Sequence, residues 1–261
     1  VVRGVFDSLL HQAEENPAVT ALRRACSVLP QGTGAAVGWQ GFEDFCVRFE
    51  AARELFFFNY TAREHVEPHV SLRDFYSGAL MSKDMEGVIV ELSNDVVVAT
   101  AEHRFPVCLA TYGSTINVKT RDDAQRHIHW ASTDYRCKNA GGAPFDSFCW
   151  RKVVQGQRVT NGEQATLLNL SGQQKDYVRT ELTAKALKEE ADKAEQAHER
   201  MQAVLAHMPR KEGVEPPPDV DHVLVVYATR CHEAVTLDTL PPNCIVLAGA
   251  NMRKYFGDGL C

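Results

Sequence analysis

No stretch of this 261-residue chain approaches the roughly 18 apolar residues that a membrane-crossing helix requires. The longest apolar runs, near Val96 and Val223, have the length of strands, so no membrane association is expected. An excess of positive charge is also missing. Twenty-eight Lys and Arg stand against 34 Asp and Glu, a net charge of −6. That balance promotes solubility and withholds the electrostatic footprint of a nucleic-acid binder, leaving only local basic clusters for such a role. The eight cysteines form no CxxC pair and are scattered over the whole length, several inside apolar segments. Buried free thiols in a reducing compartment are the expected state, which favours an intracellular, cytoplasmic protein over a disulfide scaffold.

Catalytic signatures are scarce too. GxSxG, HExxH and the phosphate-loop GK[ST] do not occur. Gly32, Gly34, Gly38 and Gly41 make residues 30–41 a loop, but they lack the GxGxxG order and no strand precedes them. No cofactor is implied. The chain begins Val1-Val2-Arg3, without an initiator Met or a recognisable signal peptide, and is expected to be a processed product or a trimmed piece.

What the chain does have is the composition of a folded protein, 44% hydrophobic and 24% charged. It also has one dominant feature. From Gln173 to Met208 it runs without Pro or Gly, and Ala184, Leu187, Ala191, Ala194, His198, Met201, Leu205 and Met208 recur with 3,4 spacing. That is the seam of a long amphipathic helix, with coiled-coil periodicity. Only two of its eight positions are leucine. A bare dimer along it would be weak, and close packing against a larger apolar surface suits its small residues better. The remaining positions mix both signs of charge and read as a solvated face. His198 within the seam reads as an ordinary partly buried histidine, with a pH-sensitive contact as the alternative.

Five regions follow: a helical region 1–82, a β-rich region 83–172, the long helix 173–208, a proline-rich linker 209–219 and a C-terminal α/β segment 220–261. Residues 4–29 and 42–66 read as helices, the second marked by Phe42, Phe45, Phe49, Phe56 and Tyr60. Its aromatic residues spread over more than one side, which predicts burial in a core. A short helix is expected over 72–81. Gly87 to Leu92 and Asp95 to Ala101 suggest a hairpin, further strands are expected at 107–112, 115–119, 145–154 and 164–170, and a short helix at 122–130. Pro216-Pro217-Pro218 makes the linker stiff. Beyond it, 222–228 and 244–248 are apolar without alternation, the pattern of strands covered on both faces. Two strands cannot stand alone, so they are expected to complete the main sheet with the long helix as crossover. The fold class is α+β or mixed α/β, with a mainly antiparallel central sheet.

Candidate chemistry is thin. Asp123 and His127 share a helical face at i,i+4 and could hold a metal, with Asp122, His129 and Cys137 nearby, but they match no established ligand spacing. Cys231-His232-Glu233 holds the three residue types of a nucleophilic triad, although adjacent side chains point apart. Arg253, Lys254 and Tyr255 mix charge and aromatic surface in a way that could contact a nucleic acid. Gln173-Gln174-Lys175 stands where a nuclease-like sheet would put a carboxylate and a lysine, but the carboxylate is missing. The expected function is a non-catalytic interaction or scaffold subunit of a larger assembly, docking through the long helix to a protein partner or a second copy. The alternative is a metal-dependent hydrolase acting on nucleic acid or nucleotide.

Overall fold

Segment 220–228 presents apolar side chains to both sides, and every residue in it is buried. It is a central strand of the sheet around which the rest is arranged. The structure is a computed structural model and describes residues 39–63, 66–93, 96–100, 135–138, 145–155, 159–160, 163–164, 167–177, 179–206 and 220–256. The helices are α1 (Trp39–Arg63), α2 (Leu72–Phe75), α3 (Lys83–Glu86), α4 (Ala184–Ala206) and α5 (Ala250–Phe256). The strands are β1 (His69–Ser71), β2 (Leu80–Met81), β3 (Ile89–Glu91), β4 (Val97–Thr100), β5 (Tyr135–Lys138), β6 (Ser147–Gln155), β7 (Val159–Thr160), β8 (Glu163–Gln164), β9 (Leu167–Lys175), β10 (Val220–Ala228) and β11 (Cys244–Ala248). Among these residues no helix is long and apolar enough to cross a membrane.

Nine strands form one mixed sheet in the order β1-β3-β6-β9-β10-β11-β2, with β5 also on β6 and β4 beyond it. The β1–β3, β3–β6, β5–β6, β6–β9 and β11–β2 pairs are antiparallel. The run β9-β10-β11 is parallel, and α4 is the crossover between β9 and β10. A parallel pair needs such a crossover because its two strands start at the same end of the sheet. The C-terminal strands thus complete the main sheet as the sequence implies.

Alternation along the strands assigns the two faces. Val223, Val225 and Tyr227 of β10 join Leu168 and Leu170 of β9 in a core shared with α1, α2 and α5. Val220, Leu224 and Val226 turn the other way, where Leu187, Ala194 and Ala197 of α4 cover them. The first face is aromatic. Phe49 packs edge-on against Phe256 at 4.7 Å between ring centroids and tilts against Tyr255 at 5.4 Å. The aromatic positions of α1 therefore serve core packing, with Phe56 and Tyr60 left exposed at its outer side.

Several boundaries differ from the sequence reading. Residues 173–175 continue β9, and the helix starts only at Ala184. Strand pairing with β10 extends to Lys175 and takes precedence over the helix-forming composition of that stretch. Thr183 then caps α4, its hydroxyl accepting the Ala186 N–H at 3.2 Å. The expected hairpin does not form. β3 pairs with β1 and β6, while β4 pairs with β5. The expected helix over 72–81 is one turn, α2, followed by a turn at Gly78 with φ +87° and then β2. The expected helices at 4–29 and 122–130 and the strands at 107–119 lie outside the described residues.

Candidate functional site

The long-helix seam is largely committed to the chain's own sheet. Leu187, Ala194 and His198 are buried, and Ala184 and Ala191 are half-buried. Full burial of a leucine such as Leu187 is worth about 1.5–3 kcal/mol. The side chains of Met201 and Leu205, and all of Met208, lie outside the described residues. On its outer side α4 exposes Lys185, Glu189, Asp192 and Lys193. Lys185 lies 3.9 Å from Glu189, and Lys193 lies 3.2 Å from Glu190.

One helix does not cover the whole of this face. Between α4 and the connection from β10 to β11 lies a groove of about 700 Å³. Ala184, Ala191 and Ala194 form one wall and Leu240, Pro241 and Pro242 the other, with Leu224 and Cys244 at the bottom. The sequence held signals for both walls: small residues along the seam, and Pro241-Pro242. What it could not give was their apposition. That depends on the connection 229–243 crossing the same face as α4, where Val235 is buried in the α4-side core. Asn243 makes the final turn with φ 61°, a left-handed conformation that asparagine tolerates, and its carbonyl accepts the Leu224 N–H at 2.8 Å. Burial pushes the Cys244 thiol up to about 12.

A second cavity, about 860 Å³, opens at the carboxyl ends of the parallel strands. Arg179, Thr180, Glu181 and Thr183 line it ahead of α4, with Arg230 and Cys231 just past β10. Cys231 thus stands where open α/β sheets present functional residues. Burial, and then Glu181, push its thiol above the ordinary range and keep it protonated. Its Sγ is directed at the His232 carbonyl oxygen, 3.6 Å away, not at the ring. The His232 ring is engaged elsewhere, Nδ1 accepting the Ala234 N–H at 3.1 Å and Nε2 lying 3.9 Å from Glu181. Cys231-His232-Glu233 is therefore no triad.

At the neighbouring β6–β9 pair, Asp146 Oδ2 accepts hydrogen bonds from Gln173 Nε2 and from the Gln174 backbone N–H, both at 2.7 Å. Lys175 is engaged with Glu190 of α4 at 3.2 Å. Asp146, just ahead of β6, thus stands beside Gln173 and Gln174, a neighbour that sequence separation hides. Among the described residues no group of three or more His, Cys, Asp or Glu is placed to hold a metal. Asp123 and His127 lie outside the described residues.

Of the basic-aromatic cluster, only Tyr255 and Lys254 have described side chains. Tyr255 is buried against Tyr76 and Phe256, with the Arg53 guanidinium 4.8 Å above its ring, so it has no face to offer a base. Lys254 is exposed, and the Arg253 side chain is outside the described set. Asn169, in a glycosylation-type sequence, is 0% exposed inside the sheet and cannot be an acceptor in the folded chain. Cys46, Cys149 and Cys244 are buried.

Sequence reading missed the strongest electrostatic feature. Glu54 of α1 and Arg151 of β6, exposed by 0% and 1%, form an ion pair inside the α1 face. Glu54 also accepts the Ser93 N–H at 3.0 Å, and Arg151 donates to the Trp150 carbonyl. Glu50 takes the Tyr227 hydroxyl, whose pKa is raised, mainly by burial and then by Glu50 itself. These groups tie α1 to the sheet.

No family model, no curated protein and no solved structure matches this chain.

Proposed function

We propose that this chain is a non-catalytic docking subunit that receives a partner's polypeptide segment in the groove beside α4. The observation that carries this reading is the groove itself: Leu224, Cys244 and the buried His222 lie between a wall of alanines and a wall of Leu240 and two prolines. Small side chains permit close backbone approach, and a largely preformed apolar trough with a charged margin is the usual setting for an amphipathic segment. The margin is polarised. Lys185 and Lys188 stand toward the start of α4, with Asp192 and Glu195 further along. An occupant with acidic residues at one end and basic residues at the other fits that order. In this reading the alanines of the seam still make the contact, as one side of a trough and not as a free coiled-coil stripe.

Selection of displayed peptides against the intact chain tests it. Enriched peptides should share an apolar stripe, and Ala191→Arg should weaken their binding at least about tenfold, near 1.4 kcal/mol, without unfolding the protein. Failure to enrich peptides, or binding indifferent to Ala191→Arg, overturns the reading. A second copy as occupant would appear as concentration-dependent sedimentation abolished by the same substitution.

Asp146, Gln173 and Lys175 favour a second reading, a metal-dependent hydrolase of nucleic acid or nucleotide. Asp146 would be its metal-binding carboxylate and Lys175 a cation beside the cleaved phosphate. Its test is cleavage of a labelled oligonucleotide with added Mg²⁺ or Mn²⁺. The reading requires activity that Asp146→Asn and Lys175→Ala each abolish.

A further inference from the structure

His198 of α4 and His222 of β10 lie ring over ring, with centroids 4.3 Å apart and planes inclined by 25°. Both are buried. They stand in a polar row under an otherwise apolar helix. In register across the sheet, Trp150 pairs with Asn169 and Asn169 with His222. The Trp150 indole nitrogen, the Asn169 side-chain oxygen and His198 Nδ1 have no hydrogen-bond partner among the described residues. Leu187 and Ala194 meet an apolar core that includes Leu224 and Val226, whereas His198 meets this row.

The hydrogen bonds at His198 admit only one protonation state. Gln202 Nε2 donates to the Val220 carbonyl at 2.6 Å and lies 3.4 Å from His198 Nε2. An amide nitrogen only donates, so His198 Nε2 must accept and the ring's single proton sits on Nδ1. A second proton can go only to Nε2, where N–H would oppose N–H. Turning the Gln202 amide over would relieve that clash but would set its oxygen against the Val220 carbonyl. Either way one link between α4 and the start of β10 is lost.

We infer that the His198–His222 stack is a pH-operated latch, which holds the second half of α4 on β10 at neutral pH and releases it on acidification. Among the described residues, the charged groups around it come from two elements. α4 supplies Glu195, 3.4 Å from His222 Nε2, and Glu199 beside His198; β10 supplies Asp221. At this level β6 and β9 present the neutral Trp150 and Asn169. Burial lowers the His198 pKa below its ordinary 6.5 and outweighs Asp221 and Glu199, which raise it. The unfolded chain therefore takes up this proton first. The latch contributes fully above pH 6.5 and weakens as pH falls below that value. The inference does not depend on the groove being a docking site.

Amide hydrogen exchange on the full chain, combined with histidine NMR titration, tests it. His198 should titrate below 6.5. After correction for intrinsic rates, exchange over residues 196–203 should rise by up to about tenfold per pH unit below that point, ahead of residues 185–191. His198→Phe keeps a ring in the stack and should flatten this dependence. If that variant fails to fold, the titration and exchange of the unaltered chain decide. Titration of His198 at or above 6.5 overturns the latch. So do equal rises in both halves of α4, or an unchanged pH dependence in His198→Phe.

Discussion

The two faces of the sheet are built on different principles. The α1 face is filled by large aromatic rings, and its buried charges are answered. Glu54 meets Arg151 and the Ser93 N–H, and Glu50 meets Tyr227. The α4 face is closed by small residues and leaves a groove of about 700 Å³. One face fixes the fold while the other keeps unused surface. Function is sought on the second because binding and switching need a part of the structure that is not already at its best arrangement.

The largest effect expected from this contrast is at the buried ion pair. Arg151→Met leaves Glu54 charged and unpaired, and chemical denaturation should register a loss of about 3–5 kcal/mol. The double variant Glu54→Leu, Arg151→Met should be less destabilised than that single change, because no orphan charge remains. If the double loses more, the pair is a net stabiliser and not a fixed point of specificity. Next comes the apolar half of the α4 contact, where Leu187→Ala should cost about 2–5 kcal/mol in the same measurement. Gly172→Ala follows, at roughly 1–3 kcal/mol. A methyl there would come within 2.2 Å of Ser147 Oγ and 2.7 Å of Gln174 Nε2. The smallest effect belongs to the groove. Ala191→Leu should change stability by no more than about 0.5 kcal/mol, because its added atoms enter open space. A large loss there would mean the groove is occupied by the chain itself, and the contrast between the faces would vanish.

The legible part of this molecule was what local pattern controls. β11 matches the apolar run at 244–248, and the unbroken apolar character of 222–228 announced a strand covered on both sides. Contacts between distant segments were not legible. Gln173 to Lys175 have the composition of a helix but lie in a strand, because β10 offers a full ladder beside them. Val88 to Val98 looked like a hairpin because neighbouring strands often pair, but β6 takes the place beside β3. At the candidate site the alanines were found and their opposite wall was not. Asp146 escaped because nothing near it in the chain pointed to Gln173.

The short strand β2 has a consequence for how this chain reaches its folded state. Met81 pairs with Ile245, so a segment made early waits at the sheet's rim for one made near the end. β9 likewise has no parallel neighbour until β10 follows the long crossover. Such distant pairings slow folding, since the loop must close before any contact rewards it. A nascent chain stopped before residue 220 would carry the aromatic surface of α1 with no β10 or β11 to cover it, and should be held by chaperones or aggregate.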